Sequence, residues 1–171
     1  MRLYVYPTSP NVRRARLAAA VLGLELEETL VDFSKGEHKK PESGLLPQDE
    51  QARADVMRWQ FWDSSHFSPP LGTVAFQRIM KQRFGMGEPD ESKVSEALSN
   101  FRRFAAVLDK RLDGKRYVVG DSLTLADLTI ATSLMYAEQS EVPVAEFPNV
   151  HAWFSRISEM DAWKRTSPFG P

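Results

Sequence analysis

Apolar positions alternate near the N-terminus and fall three and four apart beyond Pro47, so the chain reads as a short α/β unit followed by helices. Residues 3–6 form a short β-type run. After Ser9-Pro10 the residues Val12, Ala15, Ala19 and Leu22 recur at helical spacing until Gly23, which predicts a helix over 10–22. The β-type pattern returns over 26–33, where Thr29, Val31 and Phe33 alternate against Leu30 and Asp32. A helix between two strands implies a parallel pair joined by a right-handed crossover. One such β-α-β unit buries too little surface to be stable by itself.

The rest of the pattern is helical. Asp49 is placed to cap a segment carrying Ala52, Val56, Trp59, Trp62 and His66 at spacings of three and four, and Pro69-Pro70 is expected to interrupt it. A second segment, with Val74, Ile79, Met80 and Phe84, runs to the Gly85-Met86-Gly87 break. The stripe Val94, Leu98, Phe101, Ala105, Leu108 and Leu112 predicts a long helix from near Asp90, closed by Gly114. In "GDSLTLADLTIATSLMYAE", Thr124 and Asp127 have the separation of a capping box, and Leu123 and Leu128 that of a hydrophobic staple. A last helix follows Pro148 with Val150, Trp153, Phe154 and Ile157 turned inward, and 166–171 is expected to be a loosely held tail.

Composition narrows the function classes. A chain of 171 residues is long enough for one or two compact units. Its 42% hydrophobic and 26% charged residues exclude a disordered or fibrous chain. The 22 basic and 23 acidic side chains are interspersed, so no broad field attracts nucleic acid or an anionic membrane, and neither partner is expected. There is no cysteine, which excludes disulfides, thiolate metal sites and a cysteine nucleophile; a reactive thiol has to come from a ligand. His38, His66 and His151 lack ligand spacing, so no metal is expected. The N-terminal apolar run is too short for a signal core and no stretch approaches the ~20 apolar residues of a membrane helix, which points to a cytoplasmic protein.

Three groups of residues carry candidate chemistry, each beside a plainer reading. Ser9 and Pro10 are the preferred types for the N-cap and first position of a helix, which explains Ser9 without catalysis. The same helix start, with Arg13 and Arg14 on its first turn, would also stabilise an anion, and a serine hydroxyl bonded to a ligand sulfur would lower the thiol pKa. His38 and Lys39 in "KGEHKKPE" are either a solvated polar turn or a carboxylate-binding pair. Trp59, Trp62, His66 and Phe67 are either bundle core or the wall of an apolar pocket. Asp63, Ser64, Ser65 and His66 supply the residue types of a hydrolase triad, but adjacent helical positions do not converge on one point.

Taken together, these stretches resemble the cytosolic glutathione S-transferases, specifically their serine-type, bacterial members. "SPNVR" places Ser9 four residues before Arg13, as in the family's serine-type first helix. "GEHKKPE" resembles the turn whose His and Lys hold the glycyl carboxylate of glutathione, matching His38 and Lys39. "YVVGDSLTLADLTIA" resembles the family's most recognisable C-terminal motif, and "FPNVHAWFSRI" is similar to the segment that follows it. The resemblance implies a fold of α/β plus all-α type: a truncated thioredoxin-like β-α-β unit over 1–42, then an all-helical C-terminal domain over 43–171. It also implies glutathione as co-substrate, a small apolar electrophile as second substrate, a homodimer and a detoxification role. Ser9 would activate the sulfur; Ser9, Arg13, His38 and Lys39 would hold glutathione; Trp59, Trp62, His66 and Phe67 would line the substrate pocket.

The chain departs from the family at one place. Members continue after this turn with a proline preceded by a cis bond, two antiparallel strands and a helix that grips the γ-glutamyl group. Here "HKKPE" runs directly into "SGLLPQDEQARADVMRW", which resembles the start of the second domain. The absent strand pair and helix would need on the order of forty residues. Its loss leaves an unpaired sheet edge and removes half of the glutathione site. Two functions therefore stand: a glutathione transferase or thiol-dependent peroxide reductase, and a non-catalytic interaction or ligand-carrying module of the same fold.

Overall fold

A computed structural model describes residues 2–5, 20, 23, 25–30 and 45–165. The chain divides into two compact units, Met1–Ser43 and Gly44–Pro171. In the first, strands β1 (Arg2–Val5) and β2 (Glu27–Leu30) pair in parallel, with Arg2 opposite Glu27 and Val5 opposite Leu30. Ala20 is helical and Gly23 turns the chain at φ 65°, its N–H bonded to the Ala20 carbonyl at 3.2 Å, as a glycine that ends a helix does. The parallel pairing is the one expected. Val5 is buried, whereas every residue of β2 is exposed, and Leu30 retains 63% of its surface. The expected helix positions 10–19 and strand positions 31–33 lie outside the described residues.

The second unit is helical throughout its described residues. Helix α1 (Glu50–Trp62) begins at Asp49, whose carboxylate accepts the Ala52 N–H at 2.6 Å. It does not stop at the prolines. A π turn over Asp63–Phe67 leads into α2 (Ser68–Ala75), a second π turn spans Phe76–Met80, and α3 (Lys81–Arg83) completes one continuous helical run. The expected interruption at Pro69-Pro70 is thus corrected. The wider turn just before them, with the Ser68 N–H bonded to the Asp63 carbonyl, spares the pyrrolidine rings the clash they would meet in a regular α-helix.

Helix α4 (Glu91–Leu112) starts at Asp90, which accepts the N–H groups of Ser92 and Lys93, and Gly114 turns the chain after it at φ 64°. Its inward face is Val94, Ala97, Phe101, Ala105, Leu108 and Leu112, close to the expected stripe, with Leu98 only partly buried. Helices α5 (Leu125–Ser133), α6 (Pro148–Ser158) and α7 (Asp161–Arg165) follow. α4 packs against α2 and α6, and α1 against α5, enclosing a core that includes Phe67, Phe101, Leu108, Ile130 and Trp153. Val150, Trp153 and Ile157 are buried as expected, and Phe154 is half-buried. The tail over 166–171 lies outside the described residues.

Candidate functional site

The aromatic residues of the first long helix do not share one fate. Phe67 has no exposed surface and packs on Phe101 with ring centres 5.7 Å apart, so it belongs to the core. Trp59 is 4% exposed and meets Trp62 edge to face at 5.0 Å. Trp62, half-buried, stacks on Phe67 at 5.3 Å and so joins the core to the surface. His66 is exposed and lies flat against Phe104 of α4 at 5.1 Å. His66 and Phe104 stand in a cleft of about 560 Å³ between α1–α2 and α4, together with Ser65, Pro69, Asn100 and Lys93. Its mix of ring faces, an amide, a cation and the Glu96 carboxylate is the type of lining that orients a small organic molecule.

Phe104 was missed in the sequence because its partner lies on another helix, and no spacing along the chain reports such a pairing. The same holds for Ser133, whose hydroxyl donates to Asp63 Oδ1 at 2.9 Å. Asp63 is buried at the start of the π turn. Burial pushes its pKa up to about 6, and the Ser133 hydroxyl partly offsets that by bonding the charged form. The triad residue types diverge: Asp63 faces Ser133, the Ser64 hydroxyl donates to the Phe61 carbonyl at 3.1 Å, and His66 stacks on Phe104. Among the described residues no three His, Asp or Glu side chains gather to hold a metal, and no helix is long and apolar enough to cross a membrane.

The scaffold of this region is fixed by one carboxylate. Asp127 is fully buried and completes the capping box with Thr124. Its Oδ2 accepts the Thr124 N–H and hydroxyl, both at 2.9 Å. Its Oδ1 accepts the Val118 N–H at 2.8 Å and the Trp153 indole N–H at 2.9 Å. Four donors thereby bind the start of α5 to the preceding loop and to α6. Ser9, Arg13, His38 and Lys39, the residues expected to hold glutathione, lie outside the described residues.

Comparison with known proteins places this architecture. Residues 1–43 match the family described as glutathione S-transferase, N-terminal domain, and residues 67–161 its C-terminal domain. A glutathione S-transferase-like protein of a Fusarium species is 36% identical over 131 residues, 74% of this chain and 56% of that relative. Glutathione S-transferase 3 of Zea mays is 27% identical, covering 97% of this chain and 92% of the relative. That alignment spans 208 positions against a chain of 171 residues, so at least 37 positions of the maize protein have no counterpart here. A crystal structure of a glutathione transferase family member from Pseudomonas fluorescens, with two glutathione bound, superposes at a TM-score of 0.64 and 20% identity, covering 96% of this chain and 90% of its own. With both domain types matched in order, and the second alone spanning more than half of its length, the chain belongs to the glutathione S-transferase family, with a shortened N-terminal region.

Proposed function

We propose that this protein is a serine-type glutathione S-transferase, joining the glutathione thiolate to electrophilic, mostly apolar substrates or reducing peroxides through the same thiolate. The observation that carries this reading is the succession of the two domain types along one chain, at 1–43 and 67–161. In it, the Ser9 hydroxyl donates a hydrogen bond to the sulfur, and the helix that starts there, with Arg13 on its first turn, favours the anion. His38 and Lys39 hold the glycyl carboxylate. With no cysteine of its own, the protein forms no covalent intermediate through a thiol, and catalysis consists of thiol activation and orientation. The exposed surfaces of Trp62, His66 and Phe104 offer the apolar substrate a wall, backed by Phe67. We assign the active form as a homodimer.

A second reading is a non-catalytic ligand-carrying or interaction module, favoured by the positions of the maize relative that have no counterpart here. Calorimetric titration of the full chain with glutathione separates the two. Saturable binding below millimolar concentration supports the transferase; no heat at millimolar glutathione leaves the module.

A further inference from the structure

A groove of about 500 Å³ lies between α6 and the loop that joins α4 to α5, and it shares no residue with the cleft beside His66 and Phe104. Both of its walls are fixed by one buried carboxylate. Asp127 Oδ1 accepts the Val118 N–H at 2.8 Å, next to Tyr117 on the loop wall, and the Trp153 indole N–H at 2.9 Å on the helix wall. Two arginines tighten that frame. Arg111 Nε donates to the Val118 carbonyl at 2.7 Å, and Arg156 reaches from α6 to the loop, donating to the Arg116 carbonyl at 3.0 Å. The groove is therefore formed before a ligand arrives, which keeps the ordering cost of binding low.

The floor is apolar: Tyr117 and Met160 are half-buried and are backed by the buried Trp153 and Ile157. Arg116 lies over the Tyr117 ring, its guanidinium carbon 5.7 Å from the ring centre, and Trp153 has no exposed surface, so the floor offers little to stack on and suits an aliphatic side chain. The rim is cationic. Arg116 and Arg156 are exposed, and neither is paired with a carboxylate among the described residues. The one acid in the lining, Glu159, is neutralised by Lys164 at 2.6 Å, which leaves the rim positive. An inorganic anion would leave the floor wet, and an apolar segment would leave both guanidiniums without a counter-charge. Eight residues line the groove, against the roughly 20–30 a side of a stable protein interface, so its occupant is a short segment. We infer that this groove docks a short acidic segment of a partner protein, seating an aliphatic side chain on Tyr117 and Met160 and carboxylates on Arg116 and Arg156. Guanidinium forks match carboxylates and keep their charge at every physiological pH. The site stands whether the chain acts as a transferase or as a module.

The test titrates the full chain with the peptide acetyl-Asp-Glu-Leu-Leu-Glu-Asp-amide, followed by calorimetry and by the indole N–H resonances. Binding saturates below millimolar peptide, and the Trp153 resonance moves while those of Trp59 and Trp62 stay in place. The Arg116→Glu/Arg156→Glu variant, altered at two exposed positions, keeps its helical circular dichroism and binds the peptide at least about tenfold more weakly, the scale of losing charge-assisted contacts. The Arg116→Gln/Arg156→Gln variant, which adds no repulsion, also binds more weakly than wild type. A peptide with serines in place of the leucines loses affinity for wild type, and saturating glutathione changes none of these affinities. No saturable binding, unchanged affinity in both arginine variants, equal affinity for the serine peptide, or shifts at Trp59 or Trp62 in place of Trp153 would each overturn the assignment.

Discussion

Asp127 spends both carboxylate oxygens on four donors in a site without water access, so its removal leaves several of them unpaired in the core. Each such donor costs about 1–3 kcal/mol, and Asp127→Ala should lower the unfolding free energy by at least about 3 kcal/mol in urea titrations. Asp63 acts in the opposite sense. Its folded-state pKa of about 6 lies above the ordinary value of 3.8, so its stabilising contribution is complete below pH 3.8 and is lost as pH rises through 6. Ionising it costs the fold about 3 kcal/mol. Asp63→Asn keeps an acceptor for Ser133 and removes that charge. The variant should be the more stable at pH 7 to 8, with the difference vanishing on acidification to about pH 4. Of these two residues, the sequence exposes only Asp127's role, because its cap partner is three positions away. Asp63's burial depends on Ser133, seventy positions distant in the chain.

At the scale of elements, local signals locate every long helix start. Asp49, Asp90 and Thr124 each stand where a side-chain oxygen meets free N–H groups, and Asp90 is held down to about pKa 2 chiefly by the Ser92 hydroxyl and the Lys93 N–H. What the pattern misses is the passage through Pro69-Pro70. The π turn over Asp63–Phe67 lets the helical run accommodate the prolines and turns its buried face from Val56 and Trp59 to Leu71 and Val74. Such turns are not periodic in sequence, so a period of 3.6 reads them as breaks. The far end of the run is anchored by Gln77, a buried amide whose oxygen accepts the Asp90 N–H at 2.9 Å. Gln77→Leu should cost about 1–2 kcal/mol by leaving that N–H unpaired. Hydrogen exchange should accelerate at Asp90 more than in the middle of α4.

For the whole molecule, the two units differ in how much of them the sequence explains. The helical unit follows from its stripes, its caps and the Asp127 motif, all short-range features. The N-terminal unit is recognisable by what it retains, a parallel β1–β2 pair and the Gly23 turn, and by a match to the family's N-terminal domain over residues 1–43. All four residues of β2 are exposed, Leu30 among them, so neither face of that strand is well covered. The transferase account therefore rests on whether this shortened unit still activates a thiol, and the absence of cysteine makes that directly measurable, since any thiolate signal belongs to glutathione. The decisive measurement is a pH titration of thiolate absorbance for glutathione bound to wild type and to Ser9→Ala. The account predicts a midpoint at least about one unit below the free thiol's ~8.5 in the wild type, returning toward it in the variant. A bound thiol that titrates at the free value in both proteins would contradict it.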